Sequence, residues 1–266
     1  MADLRKKVLW ITGASSGIGE ALVYSLCDEE VKMIISARRE NELKRVKENC
    51  PLKNQENIKT LPLDLAKSDE LSHKVNEALS FFGRIDILIN NAAISQRSLV
   101  KETLLSVDRK IMETNFFGTI ALSKYLLPKM IENQEGHFAN ISSLVGKFGT
   151  PFRSSYAASK HALHGFYDSM RAELWKDNIK VTMICPGFIK TQVSVNALTG
   201  HGEKFNKMDD AQKYGMPAKI CAQKMIQAIK KEKEEVYIGG KEKYGVYLKR
   251  FFPAIFSKFV RKAKVR

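Results

Sequence analysis

Tyr156 and Lys160 stand four positions apart in the run Ser155-Tyr156-Ala157-Ala158-Ser159-Lys160, inside an apolar pattern of helical period that includes Ala162, Leu163 and Phe166. Residues at i and i+4 share a helix face, so a phenol and an ammonium can point into one cleft. A phenol titrates at about pH 10, too high for useful proton exchange at neutral pH, and a fixed ammonium beside it favours the phenolate and lowers that value. The pair then has the makings of a general acid/base. Spacing alone is a weak signal. This lysine-rich chain holds two more such pairs, Tyr125/Lys129 and Tyr237/Lys241, each of which reads as a solvated lysine near a surface tyrosine.

The elements needed to position such a pair can be followed along the chain. Residues 8–12 form a short β-rich apolar run, and Gly13-Ala14-Ser15-Ser16-Gly17-Ile18-Gly19 then leads into a helical pattern through Ala21, Leu22 and Leu26. Strand, glycine-rich turn and helix form the opening of a nucleotide-binding unit, in which backbone N–H groups approach a phosphate and the helix N-terminus faces it. A second strand at 31–37 ends at Arg38-Arg39-Glu40 and is followed by a helix near 41–49. An NAD site places an acid there for the ribose 2′-hydroxyl, whereas arginines suit a 2′-phosphate. NADP(H) is therefore favoured, and Glu40, one step late, keeps NAD(H) open. Further strands are expected at 58–63 (followed by Asp64 and Leu65), 86–90, 137–141 and 180–185. Helices are expected over 68–82, over 106–131 across Asn115, and around Tyr156. Strands alternating with helices, with no linker or repeat, predict an α/β chain: a doubly wound parallel sheet (Rossmann fold) of three layers in a single domain over 1–240.

Composition narrows the partners. The 266 residues carry a formal charge of +15, and from Lys241 to Arg266 there are nine Lys/Arg against one acid, Glu242. No zinc-finger spacing, RNP-like strand or basic zipper accompanies that charge, so no nucleic-acid partner is expected. The four cysteines show no framework spacing and no metal site is expected. An N-terminus that runs straight into residues 8–11, and the lack of any run near the roughly 18 apolar residues of a spanning helix, predict a soluble, cytoplasmic body. In the tail, 241–266, Leu248, Phe252, Phe256 and Val260 fall at helical spacing with Phe251, Ile255 and Phe259 beside them and basic residues around. That pattern fits an interfacial amphipathic helix in peripheral contact with a membrane, and equally a C-terminal arm packed on protein. The irregular stretch 187–215, apolar with glycine hinges, reads as a lid over a hydrophobic substrate.

Taken together, Thr12-Gly13-x-x-x-Gly17-Ile18-Gly19, Asn90-Asn91-Ala92, Asn115, Ser143, Tyr156-x-x-x-Lys160 and Pro186-Gly187 with Thr191 resemble, in type and order, the short-chain dehydrogenase/reductase (SDR) family over about residues 7–240. The run 83–91 and the tract Ser95-Gln96-Arg97-Ser98 are most similar to its dehydrogenase/reductase member 7 and 11β-hydroxysteroid dehydrogenase branch. The resemblance implies an oxidoreductase that interconverts a carbonyl and a secondary alcohol. In it Tyr156 exchanges the proton, Lys160 tunes Tyr156 and bonds the nicotinamide ribose, Ser143 holds the substrate oxygen, and Asn115 anchors a water in a proton relay. Ser142 is the adjacent, less favoured serine. The resemblance assigns Gly13, Ser15, Ser16, Gly17, Ile18 and Gly19 to the pyrophosphate, and Arg38 and Arg39 to the 2′-phosphate. It assigns Asp64 and Leu65 to adenine, Asn91, Ala92 and Ala93 to the adenosine side, and Pro186, Gly187, Ile189 and Thr191 to the nicotinamide. Ala93 departs from the glycine common in the family. Arg97, Phe188, Leu144, Phe148 and Phe152 are candidates for the wall around a small lipophilic carbonyl or alcohol, and a homodimer or homotetramer is implied. The alternative from another class is a catalytically silent dinucleotide-binding or interaction module of the same fold.

Overall fold

Seven strands build one parallel sheet: β1 (Val8–Thr12), β2 (Lys32–Ala37), β3 (Ile58–Pro62), β4 (Ile87–Asn90), β5 (Gly136–Ile141), β6 (Ile179–Pro186) and β7 (Glu235–Ile238). The computed structural model describes residues 2–263. Their order across the sheet is β3-β2-β1-β4-β5-β6-β7. Every residue of β1, β4 and β5 is buried, as expected when helices cover both faces and leave no strand side for water. On one face α1 (Gly17–Leu26) packs with Leu22, Val23 and Leu26 against Leu9, Ile11 and Ile35. On the other, α2 being on the first face (Glu40–Glu48, inward Leu43 and Val46), α3 (Ser68–Phe82) turns Leu71, Val75 and Ala78 onto Trp10 and Leu88. The three-layer, single-domain, doubly wound expectation is met.

The chain direction of winding reverses between β1 and β4, and it is there that the carboxyl ends of parallel strands open a crevice. Thr12 and Asn90, the last residues of those two strands, stand at that crevice.

Three features correct the sequence expectation. The helix expected over 106–131 is interrupted: α4 (Leu105–Met112) and α5 (Gly118–Glu132) flank a π-helical turn, Glu113–Phe117. Tertiary contacts favour the wider turn. The Asn115 side chain accepts from the Ile94 backbone N–H at 2.8 Å and donates to the Ile94 carbonyl at 2.9 Å. A Cβ on Gly118 would meet the Leu65 carbonyl oxygen. β7 is a seventh strand beyond the six expected; it begins on the last residue of the charged run 230–235, which hides its apolar alternation. The tail holds two helices where one pattern was read, α8 (Tyr244–Phe251) and α9 (Pro253–Lys262), because Pro253 has no N–H to continue the first and suits the first turn of the second. Positions 264–266 of the tail pattern lie outside the described residues. Between β6 and α7 (Ala218–Lys230), a short strand pair, Ile189–Lys190 with Met216–Pro217, brackets one helical turn, Asp210–Lys213. Among the described residues no helix is long and apolar enough to cross a membrane.

Candidate active site

The turn after β1 is shaped by glycines that have no substitute. Gly13 and Gly17 lie in the left-handed region at φ +67° and +60°. A Cβ on Gly19 would run into the Gly13 carbonyl oxygen, so α1 can approach the turn closely only with hydrogen at that position. Thr12 ties the turn to the end of β4: its hydroxyl accepts from the N–H groups of Asn91 and Ala92 at 3.0 and 3.1 Å, while the Asn91 amide donates to the Thr12 carbonyl at 2.9 Å. Thr191 closes the turn from across the crevice, its methyl 3.2 Å from where a Gly17 Cβ would stand.

Tyr156 sits in the first turn of α6 (Ser154–Glu173), and Lys160 follows one turn later on the same face. The Lys160 ammonium lies 5.8 Å from the centroid of the Tyr156 ring and donates to the Ile141 carbonyl, at the end of β5, at 2.7 Å. Ser143 bonds the Tyr156 phenol through its hydroxyl, which also donates to the Pro186 carbonyl at 3.3 Å. Ser142 points elsewhere, bonded to the His164 imidazole at 3.0 Å, so of the two adjacent serines it is Ser143 that meets the phenol.

The electrostatics differ from the simple pair read in the sequence. Burial pushes the Tyr156 phenol up; the Arg97 charge, the Ser143 bond and the Arg153 charge work against that rise. Burial likewise brings the Lys160 ammonium down to about 8. Where the sequence expects a phenol below its ordinary range, desolvation outweighs the neighbouring charges. A readily protonated phenol is an acid whose phenolate must be stabilised locally, and the cations acting on it include two arginines.

A single cavity of about 1280 Å³ brings most of the expected residues together. Its wall includes Gly13, Ser15, Ser16, Gly17 and Ile18 of the turn, Arg38 and Arg39 after β2, Asp64 and Leu65 after β3, and Asn91, Ala92, Ala93 and Arg97 after β4. Ser143, Tyr156 and Lys160 join them, with Pro186, Gly187, Phe188, Ile189 and Thr191 after β6. Gly19 and Asn115 stand behind the wall: Gly19 permits the turn, and Asn115 donates to the Ser159 hydroxyl at 3.1 Å, linking the loop after β4 to α6. Leu144 and Phe148 line the cavity and Phe152 does not. Neither competing pair belongs to it as a pair. Tyr125 is exposed, and the Tyr237 hydroxyl is bonded to Glu235.

Sequence reasoning misses two contributors. Arg153, the residue before α6, is buried in the wall, and only its position one helical turn ahead of Tyr156 hinted at this. The tail is the other: Leu248, Phe252, Phe256 and Val260 line the cavity, and the Phe256 ring packs against Phe148, the ring centroids 5.0 Å apart and the planes tilted by 59°. The helical spacing showed an apolar face without saying what it covers.

Comparison with known proteins agrees with this geometry. The family model described as short chain dehydrogenase matches residues 7–201. The chain belongs to the short-chain dehydrogenase/reductase family, oxidoreductases of the CH–OH/C=O couple that use NAD(P). It is similar to a dehydrogenase/reductase SDR family protein 7-like of Anopheles gambiae, 42% identical over 265 residues that cover 97% of this chain and 83% of that protein. It is also similar to dehydrogenase/reductase SDR family member 7B of Mus musculus, 38% identical over 97% of this chain and 81% of that one. To member 7 of Homo sapiens it is 41% identical over 89% of this chain and 71% of the relative. Among solved structures, a short chain dehydrogenase/reductase from Burkholderia phymatum in complex with NAD superposes with a TM-score of 0.83 at 19% identity, covering 100% of this chain and 99% of that one, which is a likeness of fold.

Proposed function

We propose that this chain is an NADP(H)-dependent oxidoreductase that interconverts a carbonyl and a secondary alcohol on a lipophilic substrate, with Tyr156 as general acid/base. The observation that carries the reading is one cavity walled by the glycine turn and by Ser143, Tyr156 and Lys160 together. The residues fit a dinucleotide. A Cβ on Gly13 would collide with Ala92 and one on Gly19 with the Gly13 carbonyl oxygen, so only glycine lets the turn close up as a pyrophosphate cradle needs, and Arg38 and Arg39 line the cavity, exposed, where a 2′-phosphate calls for them. Glu40, the one acid that could serve a 2′-hydroxyl, is paired with Lys44 at 2.8 Å. That favours NADP(H) over NAD(H).

The bound nicotinamide supplies or accepts the hydride. Ser143 holds the substrate oxygen, donating or accepting as the direction requires. Tyr156 passes its phenol proton to that oxygen in reduction and takes it back in oxidation. Lys160 holds the ribose and the proton path behind the phenol, and Asn115 braces the loop after β4 against α6, the framework along which a water-linked path from Lys160 runs. Leu144, Phe148, Phe188 and the tail residues Leu248, Phe256 and Val260 give the wall an apolar stretch beside Ser143 and Tyr156, which suits a lipophilic substrate, and the 187–215 segment acts as its lid.

Tyr156→Phe lowers NADPH-dependent reduction of lipophilic ketones by roughly 10²–10⁴-fold, the usual share of a positioned acid; an unchanged rate rejects the assignment. Arg38→Ala weakens NADPH binding and leaves NADH binding as it was; equal weakening of both rejects the 2′-phosphate reading.

The tail supports peripheral membrane contact as well. Phe256 is buried against the body, while Phe251, Phe252 and Phe259, which also border the cavity, and Ile255 stay more than half exposed beside Lys249, Arg250, Lys258 and Arg261. Flotation with anionic vesicles falls in the double variant Phe251→Ser/Phe259→Ser; equal flotation ends the idea. Pairing into a homodimer or homotetramer, implied by the family, fits the exposed Phe117 and Tyr125 on the helices after β4.

A further inference from the structure

Glu242 is the one acid in the basic tail, and its half-buried side chain is part of the cavity wall. It sits in the short helical turn Lys241–Lys243 that leads from β7 into α8. Its Oε1 accepts the Gly240 N–H at 3.0 Å and the Phe188 N–H at 3.3 Å. The first bond is local. The second reaches back 54 positions to the loop that leaves β6.

The carboxylate has a seat made of glycines. A Cβ on Gly187 would collide with Oε1, Cγ and Cδ of Glu242, the three atoms nearest to it. One on Gly239 would stand 2.6 Å from Oε1, and one on Gly240 would stand 2.9 Å from Oε2. Gly187 and Gly239 do not lie at positive φ, so backbone conformation does not call for glycine at either. The space taken by the carboxylate does. The loop it grips is fixed at three successive backbone groups. The Gly187 N–H donates to the Ile238 carbonyl at 2.8 Å, the Phe188 N–H donates to Glu242, and the Phe188 carbonyl accepts the Met216 N–H at 2.9 Å. Gly187, Phe188, Ile189 and Thr191 then face the same cavity as Tyr156 and Lys160.

We propose that Glu242 is a positioning residue for the 187–191 wall: its carboxylate, seated among Gly187, Gly239 and Gly240, holds the Phe188 backbone where a nicotinamide ring is received, and so couples the tail to cofactor binding. The inference rests on the reading of 187–191 as the nicotinamide side of the site. A loop already held in its binding conformation spares the ligand the entropy of ordering it. The role calls for an acceptor of glutamate length and shape, which glutamine keeps and alanine lacks. It is also confined to one end of the cofactor. Arg38 and Asp64 follow β2 and β3, at the opposite edge of the sheet from β6 and β7, and Glu242 has no bond to that side.

The test compares two ligands by calorimetry on the full chain: NADPH, and 2′-phosphoadenosine 5′-diphosphoribose, the same dinucleotide without its nicotinamide ring. Glu242→Ala weakens NADPH binding by roughly tenfold, the size of one hydrogen bond to a charged acceptor, and leaves the ring-less ligand within about threefold. Glu242→Gln stays within about threefold for both ligands. Gly187→Ala, whose methyl displaces the carboxylate, weakens NADPH in the native background and does so less when combined with Glu242→Ala, because the atoms it would strike are gone. Should Glu242→Ala fail to fold, Gly187→Ala alone carries the same two-ligand comparison. Equal weakening of both ligands, no weakening of either, or a Gly187→Ala penalty that is the same with and without Glu242 overturns the proposal. An unaltered protein that binds neither ligand is a separate failure, that of the dinucleotide reading, and the role of Glu242 falls with it.

Discussion

The two halves of the cavity are built in different ways. On the cofactor side the wall is made of strand ends and the turns that leave them: β1 into Gly13–Gly17, β2 into Arg38, and β4 into Asn91, with Thr12 and Asn91 cross-bonded at 2.9 and 3.0 Å. On the substrate side the wall is assembled from segments far apart in the chain. Arg97 meets Asp209 across 112 positions, Leu198 pairs with Gln96, and Phe256 packs against Phe148. The first half is specified by backbone sterics at single residues and the second by a few long-range anchors. The cofactor side is therefore constrained locally and the substrate side is free to vary by changing anchors.

The largest expected effect tests that contrast directly. Asp209→Ala leaves two buried guanidiniums without their shared carboxylate and destabilises the fold by about 3–5 kcal/mol, measured by urea unfolding. A loss near zero would mean the substrate side does not depend on its ionic anchor. Phe256→Ala removes a buried ring from the tail–body contact and costs about 3 kcal/mol in the same measurement. Lys160 sharpens the comparison through pH. Its ordinary value is 10.5 and its folded value about 8, so between about pH 8 and 10.5 the unfolded chain binds more protons than the folded one. Stability therefore rises with pH across that window, by up to about 3 kcal/mol from this residue, and Lys160→Met removes the rise.

Gly19→Ala strikes the cofactor side. The added methyl meets the Gly13 carbonyl oxygen, and the strain costs about 1–3 kcal/mol while NADPH-dependent thermal stabilisation is reduced or lost. The smallest effect belongs to Phe259→Ala. Its ring is 62% exposed, so stability changes by less than about 0.5 kcal/mol, in contrast to Phe256 one turn earlier.

Strand and helix periods, read with their turn residues, placed every strand of the cofactor half within a residue of its observed ends, because those strands are short β-rich runs bounded by turn-forming or charged residues. The Tyr156/Lys160 pair was equally readable, since i and i+4 on one helix is a local relation. The π turn at Asn115 was not, because what favours it is a hydrogen-bond pair with Ile94 and a close approach to Leu65, neither visible as periodicity. Nor was Arg153, whose importance comes from Asp209 in a segment that has no regular pattern of its own.

Sequence alone determined the three-layer α/β architecture, the glycine turn, the arginines after β2 and the Tyr–Lys spacing, since each follows from residue type and separations of a few positions. Tertiary structure decided which serine meets the phenol, which charges surround it, and that the tail forms part of the cavity wall. Desolvation and ion pairing depend on what the rest of the chain brings within a few ångströms, and a linear order of residues carries no record of that.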